Sequence, residues 1–536
     1  MDDSLTNPSS KINNAGSGHR DRTHAEILVI ISALMLAMLL AALDQSVVAT
    51  ALPQIASDLH GLNKLSWAAT AYLLTSAIST PLYGKIGDLF GRKKIFQFAI
   101  VIFLIGSALC GLSKSMNQLV FFRALQGIGA GGLISLALAI IGDVVPPRQR
   151  GRYQGYFGAV FGVASLAGPL LGGFLANAHH IFGVSGWRWI FYINVPLGIL
   201  ALFAIARRLN LPKFVADHKI DYTGAALLSL ASGALIFVSV WAGVTYSWGS
   251  WEIISLILGG VIFSVLFVLN ERRAKEPIIP LPLFKGSIFT VSVIMSLLVG
   301  VAMFASILYI PEYQQIVRGY SPIKSGLMLF PMVLGMFASS IGSGRLITKY
   351  GHYRPFPIIG GILLIIGLWL FSYLGMHTSQ MTLSIWMVVM GLGIGMFMQV
   401  PILAVQNSVP FKQMGAGTST AAFARTLGSS FGGAIFGTVL IFQLNKHLQS
   451  LLPHLHNSIN ATAVSGGLNT LSHMPEAIKQ KVLYAFVLSF HSMFIYAIPV
   501  AILAFVFAFL LKEVPLRESG MAYAEGEGLN LGAKEY

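Results

Sequence analysis

The chain has 536 residues, of which 55% are hydrophobic and 10% are charged, and its formal net charge is +15. A soluble domain usually contains about 25% charged residues, so this composition excludes an ordinary soluble protein. The basic residues fall in short clusters between apolar runs, so we expect a membrane protein and no nucleic-acid partner. The chain contains one cysteine, Cys110, which excludes an internal disulfide framework and a multi-cysteine metal site.

Polar segments stand at both ends of the chain. Residues 1–26 have neither the apolar core nor the small-residue cleavage site of a secretory signal peptide. Their composition predicts a disordered cytoplasmic tail, and residues 512–536 are predicted to form a second one.

Between the tails lie apolar runs that are long enough to cross a bilayer as helices, which takes about 20 residues each. The runs are continuous, which favours helices over the short alternating strands of a membrane barrel. The sequence therefore predicts an all-α integral membrane protein with fourteen transmembrane helices, near 27–50, 65–83, 95–113, 118–142, 154–177, 188–206, 222–244, 252–270, 287–311, 325–347, 355–374, 381–405, 416–444 and 483–511.

An internal repeat divides these spans into two halves. Segments 84–94 and 344–354 each place two glycines seven residues apart, with basic residues after the second glycine. We therefore predict a six-helix bundle at 27–210, two inserted helices at 221–271 and a second six-helix bundle at 287–511. Parallel repeated halves are typical of transporters.

The distribution of basic residues predicts the orientation in the membrane. Most of the 35 lysine and arginine residues lie in segments that share one side if the N-terminus is inside. The positive-inside rule then places both termini in the cytoplasm, and we expect a plasma (inner) membrane. The longest outer loop, 446–482, contains four histidines, but their spacing matches no standard zinc pattern. We interpret it as a solvated loop and expect no metal site.

Five segments carry motifs that resemble those of the major facilitator superfamily, specifically its fourteen-span drug:proton antiporter branch. Ala164, where the fifth-span motif usually has glycine, is a departure from the pattern. The motifs are Gly84-x-x-Gly-Asp88-x-x-Gly91-Arg92-Lys93-Lys94, Leu43–Pro53 (LDQSVVATALP), Arg123–Gly129 (RALQGIG), Gly168–Gly173 (GPLLGG) and Trp187–Gly198 (WRWIFYINVPLG).

The resemblance implies a fold of two six-helix bundles plus two inserted helices. It also implies a secondary active exporter that exchanges protons for lipophilic, often cationic, compounds, without a cofactor. The alternative is the same fold with a dedicated metabolite, siderophore or lipid as cargo. The chain has no G-x-x-x-x-G-K-[ST] motif for ATP and no visible catalytic cluster, so we expect no enzyme. The sequence leaves open whether an accessory protein is needed.

Three charged residues are candidates for proton coupling. Asp44 lies deep in the first span, and burial disfavours the charged form of an unpaired carboxylate. Intramembrane charges are functional hypotheses by default, although Asp44 could instead be a structural hydrogen-bond partner. Arg123 needs a partner or a water-filled cavity, and the sequence does not choose between these. Glu312, at the outer end of the ninth span, is either a second proton site or an interfacial acid.

The resemblance also assigns a gating role to residues at the cytoplasmic side. Glycines allow helix ends to approach closely, and an acid can face a helix terminus. Asp143 is expected to pair with Arg92 when this side is closed, or else to be a solvated acid. The candidate gating residues are Gly84, Asp88, Gly91, Arg92 and Asp143.

The fifth-span motif, Gly168, Pro169, Gly172 and Gly173, is typical of antiporters by the same resemblance. Proline removes a backbone hydrogen bond and permits a kink, and glycines allow close helix contact. We expect this span to bend where the halves meet, which would limit leak; ordinary packing is the alternative.

A cavity for lipophilic substrates should be apolar and adaptable, and methionine supplies adaptability. The Met and Phe candidates could equally face lipid or pack between helices, and Arg425 could extend to the interface. The candidate substrate-binding residues are Gln126, Met303, Phe304, Met396, Phe397, Met398, Gln399 and Arg425.

Overall fold

The computed structural model describes residues 24–61, 64–178, 180–209, 220–243, 245–452 and 474–516. The predicted tails and most of the predicted loop 446–482, including three of its four histidines, lie largely outside the described residues.

The first half of the chain folds into a bundle of helices α1 to α7. A pair of two-residue antiparallel strands, β1 (His180–Ile181) and β2 (Val184–Ser185), and a 3-10 turn at Gly186–Arg188 connect α5 to α6. The helices are α1 (His24–Asp58), α2 (Leu65–Phe90), α3 (Arg92–Leu112), α4 (Met116–Val144), α5 (Pro147–Asn177), α6 (Trp189–Tyr192) and α7 (Asn194–Arg208).

The remainder consists of an inserted pair, α8 and α9, and a second bundle, α10 to α16. Short 3-10 turns at Leu281–Lys285 and Phe411–Gln413 precede α10 and α15. The helices are α8 (Tyr222–Trp241), α9 (Trp251–Glu271), α10 (Ser287–Ile316), α11 (Pro322–Leu327), α12 (Phe330–Tyr350), α13 (Pro355–Phe371), α14 (Gln380–Ser408), α15 (Met414–Leu451) and α16 (Glu476–Leu510).

Twelve helical segments of the described chain are long and apolar enough to cross a membrane. The other two predicted spans correspond to α2, which is rich in serine and threonine, and α13, which has 17 residues. Both are helices that pack within a bundle, α2 against α4 and α13 against α14. The helical membrane fold is therefore confirmed, and the count of fourteen spans stays a prediction.

Buried apolar side chains form separate cores in the two bundles. In the second bundle one large cluster includes Met336, Phe397 and Phe486. In the first bundle two clusters lie around Phe103 and Phe191, and the first of these also includes Ile402 and Ala422 of the second bundle. Each bundle therefore has its own interior, and the contacts between bundles lie on a limited number of helices.

Two seams join the bundles. Helix α2 packs against α15, and α5 packs against α12. In the second seam the backbones almost touch, because a Cβ at Gly155 would lie 2.8 Å from the carbonyl oxygen of Ser340. Small residues permit such close helix contact in membranes.

The inserted helix α8 contacts both α2 and α15, one helix from each bundle. The hydroxyl oxygens of Ser239 on α8 and Ser430 on α15 are 2.6 Å apart. The ring of Phe237 on α8 lies 5.7 Å from that of Trp67 on α2. The inserted pair thus covers the α2–α15 seam.

The two repeated glycine segments have the same backbone feature. Gly91 follows α2 with φ 91°, and Gly351 follows α12 with φ 78°. Positive φ is strained for residues with a side chain, so glycine ends each helix at the equivalent place in the two bundles.

Candidate functional site

A network of polar side chains surrounds Asp44 inside the first bundle. The Arg123 guanidinium forms an ion pair with the Asp44 carboxylate. Gln126 Nε2 donates to Asp44 Oδ1 at 2.8 Å, and Asn194 Nδ2 donates to the same oxygen at 3.1 Å. Asp44 and Arg123 are each 1% exposed. The structure therefore brings together two of the three predicted proton-coupling residues.

Further contacts fix the position of the Arg123 guanidinium. Its Nη1 donates to Gln126 Oε1 at 2.8 Å, and its Nε donates to the carbonyl oxygen of Ala68 at 3.3 Å. The ring of Tyr72 lies 4.1 Å from its Cζ. A buried charge pair is favourable only when further hydrogen bonds satisfy both groups, which is the case here.

Sequence reasoning missed Asn194 and Tyr72 as members of this network. It also placed Gln126 in the substrate cavity, whereas the structure buries Gln126 completely beside Asp44. Asn194 stands at the start of α7 within the segment 187–198, so the motif itself was a signal for it.

Glu312 lies apart from the network, on α10 of the second bundle. Within the described chain its carboxylate forms no hydrogen bond or ion pair. The part of Glu312 in proton coupling stays a prediction.

Asp88 joins the two bundles near the C-terminal end of α2, just before the basic residues Arg92, Lys93 and Lys94. We call this side of the molecule the basic end. Its carboxylate accepts hydrogen bonds from the backbone N–H groups of Gly415 (3.0 Å) and Ala416 (2.8 Å) at the start of α15. A carboxylate at this position satisfies unpaired N–H groups and complements the positive end of the helix dipole. A Cβ at Gly84 would overlap Ser419, so glycine is needed for this close approach.

Arg92 links Asp88 to α4. Its Nη2 lies 2.6 Å from Asp88 Oδ1, and its Nη1 forms an ion pair with Asp143. The Asp143 side chain is 6% exposed, so it is not a solvated helix-end acid. Three of the predicted gating residues, Asp88, Arg92 and Asp143, are thus in contact with one another. Gly84 instead faces Ser419 and Gly415 on α15, and Gly91 is the turn glycine with a positive φ.

A second set of polar contacts, absent from the sequence predictions, joins α5 to α14. Arg150 Nη1 donates to the carbonyl oxygen of Gln406 at 3.2 Å, and Gln154 Nε2 donates to Gln406 Oε1 at 2.9 Å. These pairs are separated by more than 250 residues in the chain. Two sets of polar contacts, α2 with α15 and α5 with α14, therefore hold the basic ends of the bundles together.

The fifth-span motif lies between α1 and the second bundle. Gly168 faces Ser46 and Gly172 faces Thr50, both on α1. Pro169 contacts Gly326 and Gly173 faces Ile323, both on α11. Helix α5 runs through Pro169 without interruption, and a bend there stays a prediction.

A cavity of about 20 Å³ lies between the bundles. That volume holds about one water molecule, whereas drug-sized ligands need several hundred Å³. This cavity is therefore too small for such a ligand in the conformation described. The lining residues are Met38, Leu138, Gln154, Gly158, Phe161, Ser340, Met398, Gln399, Ile402 and Arg425.

Three predicted substrate-binding residues, Met398, Gln399 and Arg425, line this cavity. The other apolar candidates lie elsewhere in the described structure. Phe397 is buried in the core of the second bundle and Met303 packs against that core. Phe304 faces Gly433, and Met396 faces Gly360. Packing between helices, which the sequence left as the alternative, describes these four positions.

The sequence profile of the Major Facilitator Superfamily matches residues 34–433. The chain belongs to this superfamily. It is therefore a multi-pass membrane transporter of small molecules and not an enzyme.

Curated relatives extend along most of the chain. An uncharacterized MFS-type transporter of Mycobacterium tuberculosis is 39% identical over 490 residues, covering 91% of this chain and 70% of the relative. Multidrug resistance protein 3 of Bacillus subtilis is 35% identical over 492 residues, covering 90% and 95%. Multidrug transporter protein MdtP of the same species is 36% identical over 438 residues, covering 82% and 80%.

Solved structures support the fold alone. The proton:xylose symporter XylE matches with a TM-score of 0.61 at 16% identity, covering 92% of this chain and 98% of that structure. A bacterial homolog of the human lysosomal transporter Spinster matches with a TM-score of 0.52 at 16% identity, covering 91% and 98%.

Proposed function

We propose that the protein is a proton-coupled exporter of lipophilic compounds in the plasma membrane, with both termini in the cytoplasm. The observation that carries the proposal is the buried Asp44–Arg123 pair inside the first bundle. Relatives that are multidrug transporters by name, at 35% and 36% identity, support the class of cargo.

The pair gives a physical route from a proton to a conformational change. A proton on Asp44 removes the negative charge and leaves Arg123 without a counter-ion in an apolar interior. Leaving a buried charge unpaired costs about 3–5 kcal/mol. A free energy of that size shifts a two-state equilibrium by roughly a hundredfold or more, because each 1.4 kcal/mol is about tenfold. Protonation therefore favours a rearrangement of α1 and α4 in which Arg123 finds new partners or water.

The contacts at the basic end are where this rearrangement acts. Asp88 on α2 holds the start of α15, and Arg92 ties Asp88 to Asp143 on α4. Helix α4 also holds Arg123, so a shift of α4 reaches both sites. Alternation between closed and open states at this end would carry the substrate across.

The test is dye efflux from proteoliposomes under an imposed proton gradient, comparing wild type with Asp44→Asn. We expect gradient-driven efflux to fall at least about tenfold in the variant. Asp58→Asn is the matched control, because Asp58 lies on the same helix and bonds to Trp187 outside the network. We expect this control to retain transport.

The single variant leaves Arg123 unpaired, so it can fail to fold. The double variant Asp44→Asn, Arg123→Gln removes both charges and leaves no unpaired buried charge. It therefore allows the coupling role of Asp44 to be tested even if the single variant does not fold. Full gradient-driven efflux by either variant would refute the coupling role of Asp44. If folded wild-type protein transports no dye, a dedicated metabolite, siderophore or lipid becomes the better proposal.

A further inference from the structure

One charged side chain of the central cavity has no counter-ion. Arg425 lines the cavity and is 9% exposed. Within the described chain its guanidinium forms no hydrogen bond and no ion pair, and Cζ lies 5.9 Å from the ring of Phe161. The other arginine that the sequence places within a span, Arg123, has a carboxylate partner.

The position of Arg425 excludes a side chain that extends to the membrane–water interface. It stands eleven residues after the start of α15 at Met414, which is about 16 Å along the helix axis. An arginine near a helix end can extend to the interface, but this one is buried between the bundles. A buried cation without a counter-ion is costly, and an intramembrane charge of this kind is a functional hypothesis by default.

Two amide oxygens of residues that line the same cavity also lack hydrogen-bond partners among the described residues. Gln399 Nε2 donates to the carbonyl oxygen of Ser340 at 3.0 Å, which fixes the amide so that Oε1 is buried without a hydrogen bond. Gln154 Nε2 donates to Gln406 Oε1, and Gln154 Oε1 is likewise buried without a hydrogen bond.

The orientation of the Gln154 amide is fixed by a chain of contacts. Gln406 Nε2 donates to the carbonyl oxygen of Leu138 at 2.9 Å, so Gln406 must present its Oε1 to Gln154. Gln154 must then use its own nitrogen for that contact. Arg425 therefore shares one cavity wall with two amides whose oxygens have no donor among the described residues.

Apolar side chains complete the wall. Met38 and Phe161 come from the first bundle, and Met398 and Ile402 from the second. No aspartate or glutamate of the described chain lines this cavity. The nearest acid on α1, Asp44, lies six residues beyond Met38 and is already paired with Arg123.

We propose that the exporter takes amphipathic substrates with an anionic group, such as a carboxylate, that pairs with Arg425. The proposal rests on the export function proposed above and names its substrate class. The guanidinium binds a carboxylate through two parallel N–H groups, Gln154 and Gln399 accept from an amino or hydroxyl group, and the apolar wall covers the body. A zwitterion satisfies the site, and a plain cation leaves Arg425 facing a like charge.

The test uses two fluorescent dyes that differ in one group. The first is the zwitterionic rhodamine with two free amino groups and a free carboxylate. The second is the methyl ester of the same dye, which is a plain cation. Fluorescence anisotropy of detergent-purified full-length protein gives the dissociation constant of each dye without a proton gradient.

We expect wild type to bind the free acid at least about tenfold more tightly than the ester, as for a charge-assisted hydrogen-bonded pair. Arg425→Gln should abolish this preference, and Arg425→Lys should retain part of it. Arg207→Gln is the matched control, because Arg207 also rests on a phenylalanine ring, at 4.3 Å from Phe203, on the exposed end of α7. The control should retain the preference.

Folding does not confound this test. Removal of an unpaired buried charge should leave thermal stability unchanged or raise it, so Arg425→Gln should melt no earlier than wild type. Equal binding of both dyes by wild type, or a preference that survives in Arg425→Gln, would overturn the anion assignment and leave the export proposal intact. If neither dye shows saturable binding, the result would count against both the anion assignment and the export proposal. If wild type prefers the free acid in the binding assay but shows no gradient-driven efflux, the export proposal fails and the assignment of Arg425 to an anionic group remains.

Discussion

The carboxylate of Asp88 in the first bundle accepts a hydrogen bond from the backbone N–H of Gly415 in the second, at 3.0 Å. A side chain of one half thus caps a helix of the other half. The contact exists only while the basic ends of the bundles are together, so its free energy acts on one conformational state and not on the fold of either bundle.

Asp88→Asn should weaken closure at this end. The amide keeps an acceptor oxygen but loses the charge that complements the helix dipole, worth about 1–2 kcal/mol in a partly buried setting. We expect a roughly tenfold rise in labelling of an Ala422→Cys reporter by a maleimide. Ala422 lies on α15 and packs with the core of the first bundle, and the chain's own cysteine, Cys110, is buried.

The control for this variant is Asp221→Asn. Asp221 also caps a helix, accepting from the N–H of Gly224 at 2.8 Å, but this cap lies within the inserted pair. Labelling of the reporter should stay at the wild-type rate. An unchanged rate in Asp88→Asn as well would show that the cap does not bias the gate.

Gly84→Ala should obstruct the α2–α15 seam. A methyl group there would overlap Ser419 and lie 2.7 Å from the carbonyl oxygen of Gly415. Overpacking of a tight contact costs about 1–3 kcal/mol, so we expect efflux to fall at least about fivefold while each bundle folds normally.

The matched variant is Gly342→Ala on α12, where a methyl group meets nothing within 4 Å. It also tests the general effect of glycine-to-alanine exchange in a membrane helix. Efflux by this variant should stay within about twofold of wild type. Equal loss of efflux in both variants would indicate a general effect on the helices instead of a steric block at the seam.

Tyr353 anchors the segment after α16. Its hydroxyl donates to the carbonyl oxygen of Lys512 at 3.0 Å and accepts from the N–H of Val514 at 3.1 Å. Burial raises the pKa of Tyr353 above its ordinary value. Because the folded pKa is the higher one, the stabilisation is complete below about pH 10 and is lost as the pH rises through the folded pKa.

Tyr353→Phe should remove both hydrogen bonds at neutral pH, at about 1 kcal/mol each. Hydrogen exchange at the Val514 amide should then accelerate by roughly fivefold or more. In wild type, loss of the hydroxyl proton as the pH rises should remove only the bond to Lys512, because a phenolate still accepts from the Val514 N–H. Tyr350→Phe, which changes an exposed tyrosine nearby, is the control. Protection of Val514 in Tyr353→Phe would contradict the anchoring role.

Local features of the fold were predictable because their causes lie in short segments. Long apolar runs determine membrane helices, and a glycine with basic residues after it marks the turns at Gly91 and Gly351. The Asp44–Arg123 pair was one of the alternatives that the sequence left open. An intramembrane charge needs either a partner or water, and the sequence alone did not choose between these.

Which face of a helix lines the cavity was not predictable. In a membrane both the lipid-facing side and the buried side are apolar, so periodicity gives little contrast between them. Phe397 and Gln399 are two residues apart, yet the first enters the core and the second the cavity. The Gln154–Gln406 contact joins residues far apart in sequence and has no local signal.

The inserted helix α8 makes the two seams between the bundles differ in their exposure to lipid. It contacts α2 and α15 along the seam between the bundles, whereas the α5–α12 seam has no comparable inserted helix among the described elements. A molecule dissolved in the bilayer therefore meets the boundary between the halves unshielded on one flank only. We expect lipophilic substrates to enter from the lipid on the side of the α5–α12 seam. The direction of entry would then be set by α8, which touches neither the Asp44 network nor the cavity.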